Sequence, residues 1–368
     1  MPRSQPEVCV PTFGLTGYQS PAKPEVMSGR DLLGLPLAAL AVFTGAKSFR
    51  DNPVLGSRWL NKHGLHVMRL KLAAKLAVGR RRLISRHIPA ARRSEFEQNG
   101  FICIENFLPA SEFRTLQKEV LNQPWSRYDM TQGRTTTRRV FLDGVQLQHS
   151  HPALFDLIHR QDVKDLIRYV AGTLAEPVFS LQAIFSGASG KQPDPQSTVH
   201  SDTFHSTAKA WLFLEDVQDD AGPLAYVPGS HRLSCDRLAW EKSQSLTAAD
   251  SPIKYHARGS FRAHNADLKA MGLPLPHRFA VPGNTLVIAD THGYHCRTAT
   301  KIQTTRVEVY ASLRRNPFLP FGGLDVLSWP WFRERSGSLY LKAMDIGRRY
   351  GSIRMPWKYA GRGLLKQS

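Results

Sequence analysis

The chain has 368 residues, 49 Lys+Arg against 30 Asp+Glu for a formal charge of +19, and 42% hydrophobic residues. That length allows one large domain with appendages or two smaller ones, each able to bury a core. The charge is unevenly placed: residues 1–94 hold 16 basic and 4 acidic side chains (+12), residues 333–368 hold 9 and 2 (+7), and residues 95–332 hold 24 of each. A neutral middle of that size excludes a histone-like polycation. The four cysteines, at 9, 103, 235 and 296, form no CxxC pair, so neither a disulfide framework nor a structural zinc site is indicated, and a reducing compartment fits best. The longest apolar run, 32–46, contains Pro36 and falls short of the ~20 residues a spanning helix needs. It also begins too late for a secretory signal, so a cytoplasmic protein is expected.

In chain order, residues 1–30 are rich in Pro, Gly and Ser and are expected to lack fixed structure. After the apolar run comes a polar break at 47–53, then a basic apolar stretch over 58–84. Leu65, Val67, Met68, Leu70, Leu72 and Leu76 are interleaved there with Lys62, Arg69, Lys71 and Lys75, and Arg80, Arg81 and Arg82 close the stretch. On a helix the apolar face is broad and the basic residues form no clean stripe. Two readings stand: a helix packed on the core with a solvated cationic edge, or one lying on an anionic membrane surface. Residues 1–94 thus read as a basic N-terminal extension, partly disordered and then helical.

From Glu95 the texture changes. Residues 101–108 read as a short strand. Residues 111–121 read as a helix whose capping box is incomplete, Arg114 standing three places after Ser111. Residues 152–174 read as helical. Short strands follow at 179–185, 198–204, 208–216, 224–227, 285–289 and 302–313, separated by Gly-, Pro- and Asp-rich turns. This pattern predicts a mainly β core with flanking helices (α+β), a sandwich or jelly roll rather than a parallel sheet, over 95–320. Residues 321–368 read as a basic aromatic C-terminal extension carrying Trp329, Trp331, Phe332, Tyr340, Tyr350, Trp357 and Tyr359.

The chemistry-bearing residues begin with His200-Ser-Asp202. On a strand, positions i and i+2 share a face, so an imidazole and a carboxylate can converge on one metal ion. Alone the motif is common. A second histidine follows far downstream, in Asp290-Thr-His292-Gly-Tyr-His295. Two histidines and one carboxylate form the facial triad of non-haem Fe(II), which leaves open positions for a bidentate co-substrate and for O2. On the strand over 302–313, Thr304, Arg306, Glu308 and Tyr310 share the face opposite Val307, Val309, Ala311 and Leu313. An inward Arg306 would grip a carboxylate through its fork.

Together these pieces resemble the phytanoyl-CoA dioxygenase family. The likeness spans about residues 95–316: the opening Asn99-Gly-Phe-Ile-Cys-Ile-Glu-Asn-Phe-Leu, His200-x-Asp202, Trp211 through Gly222-Pro223-Leu224 to Val227-Pro-Gly-Ser-His231, then Gly283, Asp290, His295 and Arg306. The resemblance implies a double-stranded β-helix (a cupin-like jelly roll) with Fe(II), and 2-oxoglutarate consumed with O2 to hydroxylate a substrate carbon. It implies His200, Asp202 and His295 as iron ligands, the Asp-x4-His spacing selecting His295 over His292. It implies Arg306 on the distal carboxylate of 2-oxoglutarate with Trp211 beside it, and Gln182 as a further hydrogen-bonding candidate. An aspartate at 202 argues for hydroxylation rather than halogenation, which leaves that position small. Arg297 departs from the small hydroxyl residue of relatives. Lys209, His205, Glu308 and Tyr310 suggest a polar or anionic substrate group near the iron, or else a salt bridge of Lys209 or Arg306 with Glu308.

The substrate is not legible. One expectation is a hydroxylase of a lipid-like or anionic substrate, peripheral at the inner face of the cytoplasmic membrane through its cationic, aromatic termini. A second is a small-molecule hydroxylase of specialised metabolism. A third is a nucleic-acid-binding module, for which no recognition motif is present.

Overall fold

The computed structural model describes residues 36–187, 194–300, 302–319, 325–350 and 356–367. The segment expected to lack structure, residues 1–30, lies outside the described residues. The principal elements run α1 (Leu65–Ile84), α2 (Ala90–Asn99), β1 (Phe101–Ile104), α3 (Ala110–Leu121), β2 (Trp125–Gln132), β3 (Thr135–Phe141), α4 (Pro152–His159), α5 (Gln161–Ala171) and β4 (Val178–Ser186). They continue with β5 (Ala208–Phe213), β6 (Leu224–Tyr226), α6 (Cys235–Ser245), β7 (His277–Arg278), β8 (Leu286–Asp290), β9 (His295–Arg297), β10 (Thr304–Leu313), α7 (Ser336–Arg349) and β11 (Lys358–Gly363).

Eight strands form one antiparallel sheet in the order β1-β8-β5-β10-β4-β3-β2-β11. A second sheet, β7-β6-β9, is extended by single bridges from His200 to His295 and from Val217 to Val281. Strand alternation sorts side chains between two cores. Ala208, Ala210 and Leu212 of β5, Leu286 and Ile288 of β8, and Val307, Val309 and Ala311 of β10 pack towards the helices with Leu116, Leu154 and Ile167. The intervening Trp211, Phe213, Val287 and Tyr310 pack with Leu224, Tyr226 and Phe279. Each large apolar side chain so buried contributes ~1.5–3 kcal/mol. The result is the expected jelly roll with flanking helices.

Several expectations need correction. Residues 198–204 form no strand. His200 bridges His295, but the next N–H groups go elsewhere, Ser201 to the Phe261 carbonyl and Asp202 to that of Thr291, so no ladder propagates. The helix expected over 152–174 is two, broken at Arg160, whose ψ of 123° is extended. Pro109, not Ser111, precedes α3, and no side chain caps it. The β2–β3 hairpin was not anticipated, because its inward residues are polar and show no apolar alternation. Cys103 and Cys296 are free thiols, whereas Cys235 is disulfide-bonded, a bond that the cysteine spacing did not announce.

Described segments of both basic flanks are built into the domain. Helix α1 buries Leu70, Ala73, Ala77 and Ile84. Its Ala77 lies so near Gly172, the residue closing α5 at φ +61°, that a side chain there would collide with it. At the other end β11 pairs with β2, and Leu365 joins the main core.

Candidate active site

The inner faces of β3, β4, β5 and β10 meet β9 and the segment around His200 at a cavity of about 210 Å³. Register places its walls. Gln182 on β4 stands opposite both Glu308 on β10 and Arg139 on β3, and Tyr310 stands opposite Trp211 on β5. The alternation expected along β10 holds: Arg306, Glu308 and Tyr310 turn away from the helix-side core that Val307, Val309 and Ala311 join.

His200, Asp202 and His295 come together from two distant parts of the chain, offering one ligand atom each within 4.8 Å of one another. His200 Nδ1 donates to the Thr198 carbonyl at 2.7 Å, and His295 Nδ1 donates to that of Gly293 at 3.0 Å. A carbonyl only accepts, so in both rings the proton sits on Nδ1 and the Nε2 lone pair is free. Each Nε2 lies 3.7 Å from Asp202 Oδ1, too far for a hydrogen bond, and both are buried without a partner. Two orphaned lone pairs facing one carboxylate oxygen cost free energy unless something fills the gap. A cation does so with the right donor set, two neutral imidazoles and a carboxylate for Fe(II). Burial, then the neighbouring His295, holds the His200 imidazolium form well below its usual range; burial likewise lowers His295. For Asp202 burial pushes upward, but the Lys209 ammonium and the two histidines override it and hold the carboxyl well below the usual carboxylate range. All three groups are therefore in the protonation state that a metal requires.

Asp202 is supported on its other side. Lys209 Nζ donates to Oδ2 at 2.6 Å, and Lys47 Nζ donates to the Asp202 main-chain carbonyl. The salt bridge anticipated for Lys209 thus goes to Asp202 rather than to Glu308. Arg306 Nε donates to Glu308 Oε2 at 2.8 Å, and its Nη1 donates to the Gly222 carbonyl at 3.0 Å. These bonds fix the guanidinium plane and leave Nη2 without a partner among the described residues.

The cavity gathers His200, Asp202, His295, Gln182, Lys209, Trp211, Arg306 and Tyr310. Glu308 and His205, both expected to meet substrate, are not among its lining residues. Glu308 is fully buried with each oxygen engaged, by Arg306 and by Gln182 Nε2 at 2.6 Å, so it orients side chains that reach the cavity. His205 lines a different cavity, its Nδ1 donating to the Ser206 carbonyl at 3.0 Å. His292 also sits apart, against Arg237 and the Thr203 carbonyl. Arg139 was missed. It comes from the unpredicted hairpin, donates to Gln182 Oε1 and stacks 4.3 Å over the Tyr310 ring. Arg297, the noted departure, is tied to Asp194 at 2.6 Å.

Residues 96–266 match the model of a family described as phytanoyl-CoA dioxygenase (PhyH). That match takes in His200 and Asp202 and ends before His295 and Arg306, which the fold brings to the same cavity. Similar solved structures include the non-haem alpha-ketoglutarate-dependent epimerase SnoN from nogalamycin biosynthesis, at 16% identity over 60% of this chain and 81% of that one, TM-score 0.38. Another is the carbocyclase SnoK of the same biosynthesis, at 16% over 62% and 84%, TM-score 0.38. A third is HygX from Streptomyces hygroscopicus with nickel and 2-oxoglutarate bound, at 15% over 61% and 86%, TM-score 0.40. No curated protein matches the chain.

Proposed function

We propose, from the premise that residues 96–266 are a domain of the phytanoyl-CoA dioxygenase family, that this Fe(II)- and 2-oxoglutarate-dependent oxygenase hydroxylates an aliphatic carbon of an anionic, lipid-like substrate presented at a membrane surface. The observation that carries the chemistry is the pair of orphaned Nε2 atoms facing Asp202 Oδ1. His200, Asp202 and His295 would hold the iron. Bound Fe(II), with 2-oxoglutarate and O2, supplies the oxidising power.

The protein contributes orientation and charge. Arg139, Lys209, Arg297 and Arg306 line the cavity against one carboxylate, Asp202. With Asp194 and Glu308 counted behind the wall the balance stays positive, which suits a dianionic co-substrate and an anionic group on the substrate. Arg306 would take the far carboxylate of 2-oxoglutarate through its free Nη2, with Trp211 at its side and Gln182, held by Arg139 and Glu308, as a further hydrogen-bonding wall. Lys209 and Tyr310 would meet the substrate. The test is succinate formation from 2-oxoglutarate that requires added Fe(II). Unchanged turnover and 2-oxoglutarate binding in Asp202→Ala and Arg306→Ala proteins would sink the proposal.

Support for the membrane surface comes from α1. With Arg69, Arg80 and Arg81 turned inward, its solvent face carries two adjacent lanes, Lys71, Lys75 and Arg82 beside Met68, Leu72 and Leu83. Cations beside exposed apolar residues suit an interface rich in anionic lipid. Among the described residues no helix is long and apolar enough to cross a membrane. Co-sedimentation with phosphatidylserine vesicles, lost as salt rises, is the expected result. A second reading, a small-molecule hydroxylase without a membrane role, is favoured by the cavity: 210 Å³ lies below the ~300–1,000 Å³ usual for ligand sites. Absence of vesicle binding together with uncoupled 2-oxoglutarate turnover would decide for it.

A further inference from the structure

We propose that the chain has a second ligand site, for a single-chain anionic amphiphile of the fatty-acid type, in the cavity between α1 and the loop at 204–206. This cavity measures about 620 Å³, three times the volume of the one at the triad, and the two share no lining residue. The inference does not rest on the iron chemistry or on membrane docking.

The walls are mainly apolar: Leu70, Ala74 and Val78 come from α1, Phe96 from α2, and Phe204 and Leu233 from the loops opposite, with His205, His231 and His292 as polar lining. Three guanidinium groups at the rim, Arg82, Arg93 and Arg232, form no ion pair with any described residue, and Arg93 bonds only the Ser85 carbonyl. Arg81, the fourth, is satisfied by Asp290 at 3.3 Å. Glu97 is the one carboxylate among the lining residues and accepts from Tyr169 Oη at 3.3 Å. The remaining charge is thus net cationic over a mainly apolar interior. An anionic head with one alkyl tail complements both: guanidinium forks take a carboxylate or phosphate, and the tail removes apolar wall from water. A neutral alkane would leave the cations unused, and a polyanion would leave the interior empty. The volume falls within the range of ligand sites, ~300–1,000 Å³. Val78 and Arg82 belong both to the cavity and to the exposed face of α1, so the mouth opens beside the cationic lane.

The experiment is displacement of dansyl-undecanoate from the full-length protein, followed by fluorescence. Saturable binding of one probe per chain is expected, with displacement by decanoate and laurate strengthening roughly fourfold per added methylene. Dodecyltrimethylammonium, of the same tail and opposite charge, is expected to compete at least tenfold more weakly than laurate. Ala74→Trp, which fills the interior, and Val78→Glu, at the half-exposed mouth, are each expected to weaken laurate about tenfold; the second keeps the test open should the first not fold. 2-Oxoglutarate is expected to leave laurate affinity unchanged. No saturable binding, equal competition by the cationic amphiphile, affinity unaltered in folded Val78→Glu protein, or competition with 2-oxoglutarate would each overturn the assignment.

Discussion

Glu308 shows how a single side chain can read as functional and act through its neighbours. Fully buried, it takes hydrogen bonds from Arg306 and Gln182, two residues that line the triad cavity. Arg306→Ala is therefore expected to have two effects: a rise of at least tenfold in the KM for 2-oxoglutarate, and a loss of ~3–5 kcal/mol of stability from stranding the Glu308 charge. Arg306→Ala/Glu308→Gln should recover much of the thermal midpoint and none of the KM, which separates binding from folding. At the triad, Asp202→Ala is expected to lower Fe(II) affinity by at least the roughly 100-fold that outer-sphere partners of a metal reach, measured by metal titration. Glu241 supplies a pH prediction away from the site. Burial pushes its carboxyl up, but the hydrogen bond with His66 and the charge of Arg237 override burial and hold it down to about 2. Its ordinary value is 4.5, so the ionised form stabilises the fold fully above that pH, and the contribution is lost as pH falls towards 2. Glu241→Gln should cost ~3 kcal/mol at pH 7 and flatten the acid limb of a denaturation profile.

At the scale of the element, α1 combines inward arginines that hold the fold with a solvent face for which a membrane contact is proposed. Arg80 Nε donates to the Gly172 carbonyl at 2.5 Å, and its Nη1 and Nη2 donate to those of Leu319 and Pro317. Arg69 serves Val42, Thr44 and Ala46 in the same way. These guanidinium groups satisfy carbonyls at the ends of helices and loops that have no other donor among the described residues. Arg80→Ala is expected to cost about 3 kcal/mol by leaving them unpaired, seen as a lower urea midpoint. Lys71→Glu/Lys75→Glu, on the solvent face, should leave that midpoint within ~0.5 kcal/mol while abolishing vesicle co-sedimentation. The sequence showed no clean cationic stripe because inward and outward basic residues were counted together. Only the packing separates them.

For the whole molecule, the +19 charge is in part internal wiring. Arg69, Arg80 and Arg81 bond main-chain carbonyls of the core, and Lys366 pairs with Glu215. The C-terminal segment closes the large sheet: β11 covers β2, and Arg127 and Arg138 donate to carbonyls of residues 360, 364, 365 and 367. A chain ending before Trp357 would leave β2 as an open edge with those donors unmet, and aggregation by light scattering is the expected outcome. The described parts of the two basic flanks are therefore also structural.

What was legible in the sequence is what local periodicity and motif chemistry carry. The period of two along β10 announced which side Arg306 faces, and His200-x-Asp202 with a distant histidine announced a candidate metal triad, the family resemblance choosing His295 over His292. The hairpin at 125–141 was not legible, since strands whose inner face lines a polar cavity lack apolar alternation, and with it went Arg139. Tertiary structure alone decided that His205 stands outside the triad cavity. It decided between the two readings of Glu308 in favour of the salt bridge with Arg306, and it alone opened a second cavity under α1. Each of these depends on which distant segment a side chain meets, a contact set by packing between elements far apart in the chain, where periodicity within one element carries no information.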